Sequence, residues 1–169
     1  MSRLQSLAPK LKKIKAIFLD VDGVLTDGSI IYGREGMEIK VFDSQDGYGI
    51  TSALQNGFRV GIMTARDSEV VRRRAAELGI ADVYQGSIDK VSPLEEIKKK
   101  YALSDAEIAY VGDDILDLPI LRKIGFSAAP ANAVRDVKMK VDYVAKASGG
   151  HGAVREIIDI ILKAQKKSL

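Results

Sequence analysis

The chain alternates short apolar runs with segments in which apolar residues recur at helical spacing. The runs are typical of strands that are buried on both faces, as in parallel sheets. They lie at 15–20, 58–63, 82–85, 108–112, 125–128 and 142–145. Helical segments follow most of them, at 67–78, from Ser92 onward, at 132–139 and at 154–166. This order predicts an α/β fold, a Rossmann-like parallel sheet with helices on both faces and right-handed crossovers.

One stretch between the first strand and its helix breaks the alternation. Met37, Ile39 and Val41 alternate with Glu38 and Lys40, which is the period of a strand, and a glycine-containing turn precedes them. We therefore expect a β-hairpin at about 28–43, inserted in a single domain that spans 1–169. A lone two-stranded hairpin is marginally stable, so burial of its apolar face against another subunit is expected. Glycines at 149–152 predict a flexible segment from about 147.

The totals narrow the class of protein. The 169 residues are 46% hydrophobic and 29% charged, as in one domain with a sizeable core. A net charge of +3, scattered along the chain, gives no reason to expect nucleic acid. The absence of cysteine and the single histidine exclude disulfides, cysteine-ligated zinc and a multi-histidine site. No apolar stretch approaches the roughly 20 residues of a membrane span, so we expect no membrane partner and a cytoplasmic location.

Carboxylates follow two of the predicted strands. Asp20 and Asp22 come directly after the first strand, and the run Gly112-Asp113-Asp114-Ile115-Leu116-Asp117 comes after the fourth. A charge at the end of a buried strand is costly unless a cation or a site uses it. Because ligands of open α/β sheets bind at the carboxyl ends of the strands, these groups are expected to share one site for a hard cation.

The same edge of the sheet offers the groups that phosphoryl transfer requires. Asp20 is the candidate nucleophile, which would form an aspartyl phosphate. Asp22 lies two residues on, on the same side of the chain, and is the candidate general acid and base. Asp113 is the natural additional metal ligand beside Asp20, while Asp22 would contribute its backbone carbonyl.

Two further residues complete this set. Thr64 ends a predicted strand, where its hydroxyl and the nearby backbone N–H groups could bind phosphate. Lys90 stands at a helix start, where its ammonium could neutralise the phosphoryl group. A lysine opposes the helix dipole at that position, which favours a functional reason for it.

The residues resemble the four motifs of the haloacid dehalogenase superfamily, in order and over nearly the whole chain. The matching positions are Asp20-Val21-Asp22-Gly23-Val24, Thr64, Lys90 and the acidic run 112–117. Further stretches are similar to the family of 3-deoxy-D-manno-octulosonate 8-phosphate (KDO 8-phosphate) phosphatases. They are 26–28, the hairpin, 43–47, 64–68, 72–74 and 149–156. The resemblance implies a Mg²⁺-dependent, capless phosphatase of lipopolysaccharide biosynthesis that forms homotetramers through its hairpins.

Substrate contacts are expected around this centre. Arg66 and Arg74 could bind the carboxylate of a sugar acid through a bidentate fork, although Arg74 could equally belong to a solvated helix face. The resemblance adds Asp46 and Gly47, beside Thr64 and Lys90, as substrate-binding residues. Three residues stay open: Asp114 and Asp117 are either acids at a helix start or part of the site, with Asp117 a possible partner of Lys90, and His151 is either exposed or a substrate contact.

The same residues are compatible with other functions. Related phosphatases act on nine-carbon sugar acid phosphates, and Arg66 favours the eight-carbon branch. A receiver domain that is switched by phosphorylation also combines aspartates, threonine and lysine around Mg²⁺. A receiver, however, carries its acidic pair before its acceptor aspartate, whereas here the candidate nucleophile comes first. An inactive member of the superfamily would be expected to lack one of the motifs, and all four are present.

Overall fold

The computed structural model describes residues 3–168. Six strands form one sheet, and every pairing between them is parallel. These strands are β1 (Ala16–Leu19), β4 (Arg59–Met63), β5 (Asp82–Tyr84), β6 (Ile108–Val111), β7 (Phe126–Ala129) and β8 (Tyr143–Val144). Their order in the sheet is β5-β4-β1-β6-β7-β8, which confirms the predicted Rossmann-like parallel sheet.

Helices cover both faces of the sheet. They are α1 (Arg3–Leu11), α2 (Ser44–Gln55), α3 (Glu69–Leu78), α4 (Val91–Tyr101), α5 (Leu118–Leu121), α6 (Arg135–Lys138) and α7 (Ala153–Ala164). One apolar core joins α1, α2, α3 and α7 to one face, and a second core joins α4, α5 and α6 to the other. The two-sided arrangement was predicted, but α1 was not.

The register of the central strands fixes where the site can form. Leu19, the last residue of β1, lies beside Ile62 of β4 and Val111 of β6. The residues that follow these three strands therefore emerge at one edge of the sheet. All four residues of β1 and of β6 are buried, so packing in the core fixes the strands that end at this edge.

The predicted hairpin is present after the first strand. Its strands β2 (Ile31–Tyr32) and β3 (Glu38–Ile39) are antiparallel, and a 3₁₀ turn at Arg34–Gly36 connects them. Large apolar side chains of the hairpin are exposed to solvent. They are Ile30, Ile31, Tyr32, Met37, Ile39 and Val41.

The segment from about 147 is a hydrogen-bonded loop followed by helix α7, one side of which is buried, and its flexibility stays a prediction. The Gly149 N–H donates to Asn132 Oδ1 over 2.7 Å, and the Gly150 N–H donates to the Val24 carbonyl over 3.1 Å. The loop thus packs on the turn that follows β1. Within residues 3–168, no helix has the length and apolar content that crossing a bilayer requires.

Candidate active site

Asp20 stands directly after β1 and is almost fully buried, with 9% of its surface exposed. Its backbone N–H still donates to Val111 of the neighbouring strand, over 3.0 Å. One carboxylate oxygen, Oδ1, accepts the Val21 N–H over 2.7 Å. The other, Oδ2, lies 2.8 Å from the ammonium of Lys90. The Val21 N–H and the Lys90 ammonium therefore hold this carboxylate in one orientation.

Lys90 occupies the N-cap position of α4, and its side chain is buried between two carboxylates. Its Nζ donates to Asp117 Oδ1 over 2.5 Å and faces Asp20 Oδ2. Burial alone would lower the pKa of Lys90, but the two carboxylates outweigh burial and raise this pKa. The ammonium is thus charged and faces the pocket, as a group that neutralises a phosphoryl oxygen must be.

Asp117 is wholly buried and already has four hydrogen-bond donors. Oδ1 accepts from Lys90 and from the Tyr110 hydroxyl, the latter over 2.9 Å. Oδ2 accepts the backbone N–H groups of Asp113 and Asp114, over 3.0 and 3.2 Å. This carboxylate therefore fixes Lys90 and the acidic loop, and it has little capacity left to bind a metal ion.

The carboxylates at this edge carry more negative charge than Lys90 can offset. Oxygens of Asp20, Asp113 and Asp117 lie within 4.8 Å of one another. Burial, followed by the charges of Asp20 and Asp117, raises the pKa of Asp113 to about 7. Burial and the charge of Asp117 likewise raise the pKa of Asp20 to about 6. Crowded hard oxygen donors of this kind fit a Mg²⁺ ion, which would favour their ionised forms.

A pocket of about 190 Å³ opens over these groups. Thr64, which follows β4 and is buried, and Arg66, which is partly exposed, also line it. The lining residues are Asp20, Asp22, Thr64, Ala65, Arg66, Lys90, Asp113, Asp114 and Leu116. The structure thus brings together most of the site residues expected from the sequence.

Asp22 meets the hairpin at the mouth of this pocket. Its Oδ1 pairs with the ammonium of Lys40, and its Oδ2 lies 3.8 Å from Arg66 Nε. Arg66 also donates to the Tyr32 hydroxyl over 2.9 Å. Sequence reasoning missed Lys40, because alternation along a strand indicates a solvated polar face and gives no sign that this face turns inward.

Comparisons with known proteins bear on this geometry. A family profile described as haloacid dehalogenase-like hydrolase matches residues 75–157. The 3-deoxy-D-manno-octulosonate 8-phosphate phosphatase KdsC of Escherichia coli (strain K12) is 44% identical over 158 residues, 94% of this chain and 84% of that protein. The chain belongs to the haloacid dehalogenase superfamily.

Solved structures of haloacid dehalogenase relatives agree with the fold. The phosphatase of Moraxella catarrhalis, solved in complex with a magnesium ion, a phosphate ion and a KDO molecule, is 42% identical, with a TM-score of 0.93 over 96% of this chain and 93% of that one. A putative subfamily III A hydrolase of Legionella pneumophila is also 42% identical, with a TM-score of 0.95 over 97% of this chain and 90% of that one.

Three expected substrate residues do not line the pocket of this haloacid dehalogenase chain. Asp46, Gly47 and Arg74 line a separate narrow cleft. Asp46 is buried, and its two oxygens accept the N–H groups of Arg155 and Gly152 at the start of α7, over 2.7 and 3.3 Å. Its carboxylate therefore caps a helix in this structure, and a substrate role for these three residues stays a prediction.

The structure also shows where the three residues with unassigned roles lie. Asp114 is exposed at the pocket rim, where it accepts the Ile115 N–H over 2.7 Å. His151 is exposed in the loop before α7 and does not line the pocket. Asp117, as described above, is the partner of Lys90.

Proposed function

We propose that this chain is a Mg²⁺-dependent phosphatase that hydrolyses KDO 8-phosphate to KDO and phosphate. The observation that carries the proposal is the convergence of Asp20, Thr64, Lys90 and Asp113, from four separate loops, on one pocket. The 44% identity to KdsC over most of both chains supports this substrate. It also supports the expected role of the product in lipopolysaccharide biosynthesis.

Asp20 is the nucleophile of the first step. Its carboxylate oxygen attacks phosphorus, and the bond between phosphorus and the sugar oxygen breaks. Asp22 gives its proton to that leaving oxygen. Lys90 and Thr64 hold the phosphoryl oxygens, the former by charge and the latter through its hydroxyl.

Asp22 acts again in the second step. Now ionised, it takes a proton from the water that attacks the phosphorus of the aspartyl phosphate. The bond between phosphorus and the Asp20 oxygen breaks, which releases phosphate and restores both carboxyl groups. One residue can play both roles because each step leaves it in the protonation state that the next one needs.

Magnesium would be held by the side chains of Asp20 and Asp113 and by the Asp22 carbonyl. When bound, Mg²⁺ supplies positive charge against the repulsion between these carboxylates and the phosphoryl dianion. Burial, followed by the charges of neighbouring carboxylates, raises the pKa values of Asp20 and Asp113, and a bound cation would lower both. Arg66, at the pocket rim, is the proposed partner of the substrate carboxylate.

We also propose that the hairpins assemble the chain into a homotetramer. Val41 is 67% exposed, Tyr32 64% and Met37 58%, and clustered exposure of this kind marks an interface. Analytical ultracentrifugation should give four chains per particle, and Val41→Lys should lower that number. A fully active wild-type monomer would contradict the assembly. The cytoplasmic location remains part of this proposal.

A steady-state screen tests the function itself. With Mg²⁺ present, kcat/KM for KDO 8-phosphate should exceed that for nine-carbon sugar acid phosphates. Asp20→Asn should abolish turnover and leave the circular dichroism spectrum unchanged. A preference for a nine-carbon substrate would overturn the substrate assignment. A single phosphorylation without turnover would instead indicate a receiver.

A further inference from the structure

The hairpin places a buried cation against the proposed proton-transfer residue. The side chain of Lys40, which follows β3, is only 1% exposed. Its Nζ pairs with Asp22 Oδ1 and lies 3.2 Å from Glu38 Oε1. Removing a lysine ammonium from water is costly unless carboxylates compensate it. An exposed hairpin would gain nothing from such burial, so the position of Lys40 needs another reason.

Glu38 ties this lysine to the body of the domain. Its Oε2 accepts the hydroxyl of Ser68, the N-cap of α3, and its Oε1 lies 3.7 Å from the guanidinium of Arg66. Glu38 and Lys40 have the same strand parity, so both side chains leave the hairpin on one face. That face is turned toward the pocket, and the loops after β1 and β4 hold it there.

Pairing with Lys40 leaves the two oxygens of Asp22 in different states. Oδ1 is engaged by the ammonium, whereas Oδ2 is buried and has no hydrogen-bond partner among residues 3–168. Arg66 Nε, 3.8 Å away, is a buried donor that is also unpartnered within this part of the chain. Asp22 and Arg66 both line the pocket, and Arg66 covers Oδ2 in this structure, so a leaving-group oxygen would reach Oδ2 once Arg66 turns to the substrate carboxylate.

We propose that Lys40 is a positioning residue, which fixes Asp22 Oδ1 so that Oδ2 is the oxygen that exchanges the proton with the leaving group. This inference rests on the proposed function and adds to it a role for the hairpin in catalysis. A charge-assisted hydrogen bond is strong enough to select one rotamer of a carboxylate. Without Lys40, neither oxygen of Asp22 would be held, and either one could pair with Arg66.

A comparison of leaving groups tests this role. A sugar alkoxide needs a proton as it leaves, whereas p-nitrophenolate and acetate leave as stable anions. Lys40→Met removes the ammonium and keeps the length of the side chain. We expect kcat/KM for KDO 8-phosphate to fall by about 100-fold, the lower end of the range for general acid catalysis. For p-nitrophenyl phosphate and acetyl phosphate, kcat/KM should fall by less than about threefold. This constant covers only the steps up to release of the leaving group, and these two leaving groups need no proton.

Controls separate positioning from support of the fold. Arg34→Met removes a cation from the exposed turn of the same hairpin. It should leave kcat/KM unchanged for KDO 8-phosphate, p-nitrophenyl phosphate and acetyl phosphate. Circular dichroism and sedimentation must match wild type. If Lys40→Met fails to fold, Lys40→Gln, which loses the charge, is measured in its place and should show the same difference between substrates. Equal losses for all substrates, or no loss, would overturn the role of Lys40. Failure of the wild-type protein to hydrolyse KDO 8-phosphate would instead contradict the proposed function.

Discussion

Substitution of Asp117 by asparagine should test how the site is held together. This carboxylate is fully buried and receives donors from Lys90, Tyr110, Asp113 and Asp114. Asparagine has the same shape, but its NH₂ group must face two of these four donors. Removing one partner of a buried ion pair costs about 3–5 kcal/mol, and each stranded donor costs about 1–3 kcal/mol. Weaker repulsion on Asp20 and Asp113 offsets part of this loss.

We therefore expect Asp117→Asn to lower the free energy of unfolding by about 3 kcal/mol, the lower end of that range. Urea denaturation in EDTA measures the change. The matched control is Asp114→Asn, since Asp114 is exposed and asparagine caps a helix as well as aspartate does; its cost should be below about 1 kcal/mol. An Asp117→Asn protein as stable as this control would refute the idea that Asp117 anchors Lys90 and the acidic loop.

Three further outcomes are expected. Gly23 has φ +87°, and a Cβ there would lie 2.1 Å from Oδ2 of Asp113, a proposed Mg²⁺ ligand. Gly23→Ala should therefore abolish the thermal stabilisation by Mg²⁺. The control Gly36→Ala, at a residue with φ +81° and open space around it, should retain this stabilisation. Asp22→Asn should lower kcat/KM for KDO 8-phosphate by about 10²–10⁴-fold, and a loss below tenfold would contradict its role. Burial raises the pKa of Asp46 from 3.8 to about 6, so the folded state binds the proton of this carboxyl more tightly than the unfolded chain does. The contribution of Asp46 to the free energy of unfolding therefore falls as pH rises between these two values. Asp46→Asn should flatten the fall of unfolding free energy across that range by up to about 1.4 kcal/mol per pH unit, and an unchanged slope would contradict this reasoning.

The parallel sheet and the centre of the pocket could be predicted because both follow from local patterns. Buried strands are short apolar runs, and the residues after them must converge when the strands are parallel. That rule places Asp20, Thr64 and Asp113 at one edge without any knowledge of side-chain contacts. Lys90 follows from the same rule, one loop further along the chain.

The residues that the sequence left unassigned depend on contacts between distant segments. Period-two alternation sets the faces of the hairpin, but not which face turns inward, so Lys40 was missed. Asp46 carries the same charge whether it binds a sugar or caps a helix, and only the packing of α2 against α7 distinguishes these cases. The N-terminal helix α1 was missed because its signals are weak: it has no acidic residue in its first turn, and Pro9 lies inside it.

Trapping the acyl phosphate tests the central claim most directly. Borohydride added during turnover of KDO 8-phosphate reduces an aspartyl phosphate to homoserine, which mass spectrometry of the digested protein can locate. The account predicts homoserine at position 20 in the wild-type protein and none in Asp20→Asn. Homoserine at another aspartate, or rapid turnover with no modified residue, would contradict Asp20 as the nucleophile.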